Sequence, residues 1–334
     1  MKILAIESSC DETAAAVVED GRRVLSNAVY TQIDIHKVYG GVVPEIASRK
    51  HTEKITAVVD QALADAGILA GDLDAVAVTY APGLIGALLT GVSYAKAYAY
   101  SLGVPLIPVH HLRGHVAANF LTYPELKPPF LSLIVSGGHS HIVRVDSYTD
   151  YEIIGRTHDD AAGEAFDKVA RILGIGYPGG REIERLAREG DPHFLQLPHS
   201  VFSENPYDFS FSGLKTNVIN HVHKIEQNGQ KLNHEDIAAS FCHTITSTLC
   251  EHFIKAALDL KMKTLVLAGG VSANGILREK VSAAAKQYGF DLYLPELKYC
   301  GDNAAMIASQ AFYEHKSGAV AELDLNAYAT MSIS

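Results

Sequence analysis

His111 and His115, in PVHHLRGHVAANF, stand four residues apart, a spacing that sets two imidazoles one turn apart on one face of a helix. Neutral imidazole is the commonest protein ligand for transition metals, so the pair predicts half of a small metal site. Zinc proteases of the H-E-x-x-H type place their general base, a Glu, directly after the first His. Here Leu112 and Arg113 follow His111, so the expected metal serves some chemistry other than that proteolysis. With 16 His in the chain, surface or capping histidines explain the pair equally well when it is taken alone. Its position favours ligands, because it directly follows the strand-like run 105–109, and α/β proteins gather their ligand sites at strand C-termini.

Three further groups suit chemistry. Asp11 and Glu12 share the polar turn ESSCDET, where adjacent carboxylates polarise a nucleophile or cap the turn; spacing favours capping, and the two remain candidates for proton transfer. Ser136-Gly137-Gly138 is a candidate phosphate-binding turn, and Gly179-Gly180 and Gly269-Gly270 fall at further element boundaries, where backbone amides unscreened by Cβ can cradle anions. Asp160, Glu164 and Asp167 share a helical face in DDAAGEAFDKVA; Asp159 and Asp160 suit a helix N-terminus, while Asp167, deeper among apolar neighbours, suits a specific bond such as one to a ribose hydroxyl. Asp302 precedes the last helix and reads as its N-cap. As a third ligand it would complete a His/His/Asp set with positions open to substrate, the pattern of a Lewis-acid metal.

The elements that must position these residues alternate strand and helix, which predicts an α/β chain. Strands are expected at 2–8, 14–19, 24–32 and 74–80, and helices at 44–68, ending at Gly71, and at 84–102. A second pass begins near Pro129 with three strands, then helices at 159–173, 179–189 and 235–260, a strand from Thr264, a helix at 274–288, the short strand DLYLPE and a last helix at 302–316. Each pass opens with three strands and a small polar turn, and later has a buried strand, a glycine turn and a helix. This repeat of architecture predicts two domains, 1–126 and 127–303, with 304–334 packing back on the first and a nucleotide cleft between the halves.

Bulk properties agree. The 334 residues are 48% hydrophobic and 20% charged, ordinary for a soluble globular protein. No apolar run is long enough for a membrane span and no signal peptide stands at the start; four cysteines without a C-x-x-C pair read as reduced thiols of a cytoplasmic protein. The net charge of −10 excludes a nucleic-acid binder held by overall charge, though not RNA held by a local patch or brought by a partner.

IESSCDET, YGGVVPEIASRKH, APGLIGALLTG, PVHHLRGH, LIVSGGH, DDAAGEAFDKVARILG, YPGG, FSFSGLKT, LAGGVSANGILR and CGDNAAMIA, in this order from Lys2 to about Ala308, resemble the tRNA adenosine threonylcarbamoyltransferase family, once called O-sialoglycoprotein endopeptidases. Singly these motifs are weak; in order they are very specific. The resemblance implies a duplicated actin/sugar-kinase/Hsp70-like fold. It implies transfer of threonylcarbamoyl from threonylcarbamoyl-AMP to N6 of adenosine 37 in tRNAs that read codons beginning with A. It also implies one metal ion, Fe2+ ahead of Zn2+, on His111, His115 and Asp302. Donor contacts are implied at Ile134, Val135, Ser136, Gly137, Gly138, Asp167, Gly180, Glu184 and Asn274. The implied partners are tRNA, a paralogous non-catalytic dimerisation subunit and a small ATPase, with no membrane. The sequence departs from the family where Arg181 and Glu184 replace a Pro and an Asp, in APGL for GPGL, and in a tail, LDLNAYATMSIS, without the usual Pro and Arg. Three other readings compete: a small-molecule kinase or ATPase of the same fold class, a metalloprotease, and a non-catalytic scaffold, against which the retained metal ligands speak.

Overall fold

A computed structural model of the chain describes residues 1–198 and 202–334. They form two compact units, the first made of Met1–Pro129, Val145–Glu152 and Pro295–Ser334, the second of Phe130–Arg144 and Ile153–Leu294. This divide differs from the expected one: residues 295–303 and a hairpin tip belong with the first unit. Tyr299 lies in that unit's core, and the tip's Tyr148 stacks on Tyr313 with ring centroids 3.9 Å apart.

The first unit opens with β1 (Lys2–Glu7), β2 (Glu12–Glu19) and β3 (Arg23–Thr31), followed by α1 (Ile33–Lys37), α2 (Pro44–Ala66), β4 (Ala75–Ala81), α3 (Ile85–Leu102), β5 (Leu106–His110) and α4 (His111–Thr122). Its sheet runs β3-β2-β1-β4-β5, with β1 antiparallel to β2 and parallel to β4, and β4 parallel to β5. The interior stretches of β1, β2 and β4 are fully buried, so these strands read as apolar runs with little alternation.

The second unit contains β6 (Phe130–Val135), most of β7 (Ser140–Ser147) and β8 (Asp150–Arg156), then α5 (Ala162–Ile172), α6 (Gly179–Ala187), α7 (Ser212–Gln227), α8 (His234–Asp259), β9 (Thr264–Ala268), α9 (Gly275–Tyr288) and β10 (Asp291–Tyr293). Its sheet order, β8-β7-β6-β9-β10, repeats that of the first unit, which is the expected duplication. α10 (Ala304–Lys316) then packs on α4 and the first sheet, with Met306, Ile307 and Ala311 in that core.

Local expectations are corrected at four places. α2 ends at Ala66, not near Gly71, because Gly67 adopts the left-handed φ of 66° that closes a helix. α7 gave no sequence signal, since its N-cap position, Phe211, supplies no capping side chain. Its cap is remote: Asp159 accepts from Phe211 N at 2.8 Å and Ser212 Oγ at 2.6 Å, so Asp159 serves α7 rather than the helix that follows it. Asp160 likewise binds Lys215 and Lys168, at 2.6 and 2.9 Å, and α5 begins only at Ala162. Finally, Asn303, not Asp302, caps α10, its Oδ1 accepting from Met306 N at 3.0 Å.

Candidate functional site

β5 ends at His110 and α4 begins at once, so His111 and His115 stand in the first turns of a helix at a strand's C-terminal end. Both are buried, their rings edge-to-face with centroids 4.6 Å apart. Gly114, between them, is where α4 meets α10: a Cβ there would lie 2.5 Å from Ile307 Cδ1. That close approach seats the start of α10, and the loop before it carries Asp302 to both imidazoles, with Oδ1 3.2 Å from His115 Nε2 and 3.5 Å from His111 Nε2. One ligand atom from each of the three residues lies within 4.8 Å of the others.

Behind His111 stands a residue that no sequence motif marks out for chemistry. Glu7, the fully buried last residue of β1, places Oε2 3.1 Å from His111 Nδ1, and its other contacts are Thr79 Oγ1 and Ser9 N, both at 2.6 Å. Ser9 Oγ lies 3.2 Å from the same His111 nitrogen. A carboxylate ending the otherwise apolar strand KILAIE was the available signal, because burial of an acid needs a partner. Burial opposes charge on His111, but the Glu7 and Asp302 carboxylates outweigh it and lift its pKa to about 9; the same pairing lowers the pKa of Glu7 against its burial. His115 goes the other way, its burial prevailing over Asp302. Neither nitrogen of buried His115 makes a hydrogen bond, the 3.2 Å approach to Asp302 lacking the geometry of one.

These residues fit a metal ion. The Nδ1 of His111 is taken by Glu7, which leaves Nε2 for a metal, and His115 is a buried imidazole whose nitrogens make no hydrogen bond and which faces Asp302. Asp11 and Glu12 follow in the adjoining turn. Asp11 is buried, and Glu12, accepting from Thr31 Oγ1 at 3.1 Å, keeps its proton up to about pH 10 through burial and the neighbouring Asp11 and Asp302 carboxylates.

The second unit gathers the other residues singled out by the sequence. Ile134 and Val135 have wholly buried side chains in β6 and offer only backbone. Ser136 closes the turn after β6, its N donating to His139 O at 2.8 Å, and its carbonyl accepts from Gly163 N at 3.1 Å. Two of the three Gly-Gly pairs divide by role, while Gly137-Gly138 is open at both members. A Cβ on Gly163 or Gly269 would strike the backbone of Ser136 or Val135 at 2.7 or 2.4 Å, and one on Gly179 would meet Ala170 Cβ at 2.2 Å. A Cβ on Gly137, Gly138, Gly180 or Gly270 would meet no atom within 4 Å. The first set packs elements together; the second leaves backbone bare, as a phosphate cradle requires. Asp167 Oδ1 accepts from Gly179 N at 2.7 Å and so fixes the start of α6. Glu184 pairs with Arg188 at 2.9 Å, and both crowd Gly275 at the start of α9, which Asn274 caps by accepting from Leu277 N at 2.9 Å.

Fold and site together define the class: a duplicated actin/sugar-kinase/Hsp70-like chain with a candidate metal-ligand set at a strand end. Residues 23–309 match the tRNA N6-adenosine threonylcarbamoyltransferase family. The chain is 51% identical over 333 residues to the enzyme of that name from Caldicellulosiruptor saccharolyticus, covering 100% of this chain and 98% of the relative. It is 54% identical over 325 residues to that of Moorella thermoacetica, covering 97% and 95%. Among solved structures, full-length HypF in its phosphate- and nucleotide-bound form superposes with a TM-score of 0.62 at 15% identity, over 95% of this chain and 46% of that one, a likeness of fold alone. The chain belongs to the tRNA N6-adenosine threonylcarbamoyltransferase family, whose members are transferases. Among the described residues no helix is long and apolar enough to cross a membrane.

Proposed function

We propose that this chain transfers the threonylcarbamoyl group of threonylcarbamoyl-AMP to N6 of adenosine 37 in tRNAs that read codons beginning with A. The observation that carries the reading is buried His115, with neither nitrogen hydrogen-bonded, beside Asp302 and the Nε2 of His111, in a chain half-identical to named transferases. His111, His115 and Asp302 would hold Fe2+ or Zn2+, both of which accept this donor set. Bound there, the ion would supply Lewis-acid polarisation of a donor oxygen.

The chain's own residues do the rest. Glu7 holds His111 by Nδ1, so the ring cannot turn its Nε2 away from Asp302. The bare amides of Gly137, Gly138, Gly180 and Gly270 hold the phosphate, with Ile134, Val135 and Ser136 contributing backbone and Asp167, Glu184 and Asn274 the walls. The adenine N6 attacks the carbamoyl carbon, the bond from that carbon to the phosphate oxygen breaks, and AMP leaves. The N6 proton passes to Asp11, while Glu12 retains its own. Positioning and electrostatics supply the rate, with no covalent enzyme intermediate. The substrate tRNA is met together with a paralogous non-catalytic subunit and a small ATPase, in the cytoplasm.

The test mixes the purified chain, those partner subunits, labelled threonylcarbamoyl-AMP and unmodified tRNA, and analyses nucleosides by mass spectrometry. Modified adenosine is expected with the wild type and none with His111→Ala. No product from the wild type with a competent partner set overturns the reading.

A further inference from the structure

Arg113, between the two candidate ligands, points away from both and is engaged by the last residues of the chain. Its Nε and Nη2 donate to the carbonyl of Ile333 at 3.2 and 3.0 Å, and its Nη1 pairs with Glu314 at 3.1 Å. Its guanidinium also lies 4.9 Å from the ring centre of Tyr151. Two residues earlier in the segment, the Met331 carbonyl meets His110 Nε2 at 3.3 Å. His110 is the N-cap of α4, its Nδ1 accepting from Leu112 N at 3.3 Å, so its Nε2 carries the proton and donates to Met331. The same segment is tied to the neighbouring strand end, with Tyr328 N donating to Tyr80 O at 2.9 Å, Tyr80 Oη to Met331 Sδ at 3.1 Å, and Gly83 N to Ala329 O at 3.2 Å. Ile333 is 1% exposed and Ala327 5%, so two buried side chains anchor a segment whose other residues are mostly exposed.

We propose that residues 326–333 form a positioning strap for the metal-binding turn. They hold α4 at its cap through His110 and at its third residue through Arg113, and thereby fix the rotation at which His111 and His115 face Asp302. A helix rotated by a fraction of a turn would carry the two imidazoles away from a common point; Glu7, Ser9 and the packing of Gly114 on α10 oppose that rotation on the inner face, and the strap adds a hold at the cap and at Arg113. Arg113 and the strap are positioning elements; they touch no ligand atom. The inference rests on the metal reading, and its test separates the two.

Metal-stripped protein is titrated with Co2+ and followed by its visible d–d bands. The wild type is expected to bind Co2+ and His111→Ala to lose binding; a wild type that does not bind overturns the metal reading itself. Arg113→Lys keeps the charge but loses the two-pronged hold on Ile333, and a chain ended after Leu325 loses the strap altogether. Both are expected to bind Co2+ about tenfold more weakly, with shifted bands. A peptide of residues 326–334 added to the shortened chain should restore the wild-type spectrum. Wild-type affinity and bands in Arg113→Lys and in the folded shortened chain overturn the strap alone. Should the shortened chain not fold by circular dichroism, Arg113→Lys decides.

Discussion

The two units present their chemistry in opposite ways. In the first, side chains converge on a buried point: two imidazoles and a carboxylate, with a second carboxylate behind. In the second, backbone is laid bare by glycines, and the polar side chains around it mostly cap helices or pair with one another. Convergent side chains give strong, directional ligands but depend on helix rotation to fractions of an ångström. Bare backbone gives a cradle whose shape is set by turns that cannot rotate. The first arrangement should therefore fail sharply when one atom is lost, and the second only when the backbone itself is pushed.

The largest effect expected is at the converging site. His115→Ala removes a buried candidate ligand and should abolish metal content, measured by elemental analysis, with transfer slowed on the order of a thousandfold. A glycine-turn variant with an equal effect on metal content would break the contrast.

The second expectation concerns pH. In the metal-free chain the pKa of His111 is raised from 6.5 to about 9, so its protonated form stabilises the fold below pH 6.5 and that contribution is lost as pH rises through 9. Glu12, raised from 4.5 to about 10, works in the same direction, since ionisation of its unfolded counterpart above pH 4.5 increasingly favours the unfolded chain. The melting midpoint of chelator-treated protein should thus fall between about pH 7 and pH 9. Metal uptake should run oppositely. It displaces the His111 proton, so affinity should strengthen about tenfold per pH unit over the same range, as read by competition with a metallochromic indicator. A flat affinity profile would detach His111 from the metal.

A smaller loss is expected behind the ligand. Glu7→Gln keeps the shape but not the charge, and should weaken metal binding by about 10- to 100-fold while leaving the donor's affinity unchanged.

The glycines sharpen the comparison from the other side. Gly269, with φ 88° and Val135 O in the way, should not accept Ala without about 1–3 kcal/mol of destabilisation, seen as a lower melting midpoint. Gly270→Ala, with open space at Cβ, should melt like the wild type and raise the KM for the adenylate. The smallest effect is expected at Glu184→Gln, where a partly exposed ion pair with Arg188 contributes less than about 1 kcal/mol.

Much of this molecule is legible along the chain. Periodicity and local caps placed nearly all strands and helices, and the glycine and histidine spacings marked both regions, because each such signal is read within one or two turns of backbone. α7 escaped for the same reason: its cap, Asp159, comes from 53 residues away from Ser212. The sequence by itself determined the duplicated α/β order, the His-x-x-x-His turn and the family. The tertiary structure alone brought Asp302 within reach of both imidazoles and made Asn303 the cap, carried Glu7 to His111 across 104 residues, and set which glycine of Gly179-Gly180 and of Gly269-Gly270 packs and which stays bare. Those are outcomes of how helices and turns close on one another. A residue's type and spacing say what it can bond, but not what the fold brings within reach of it.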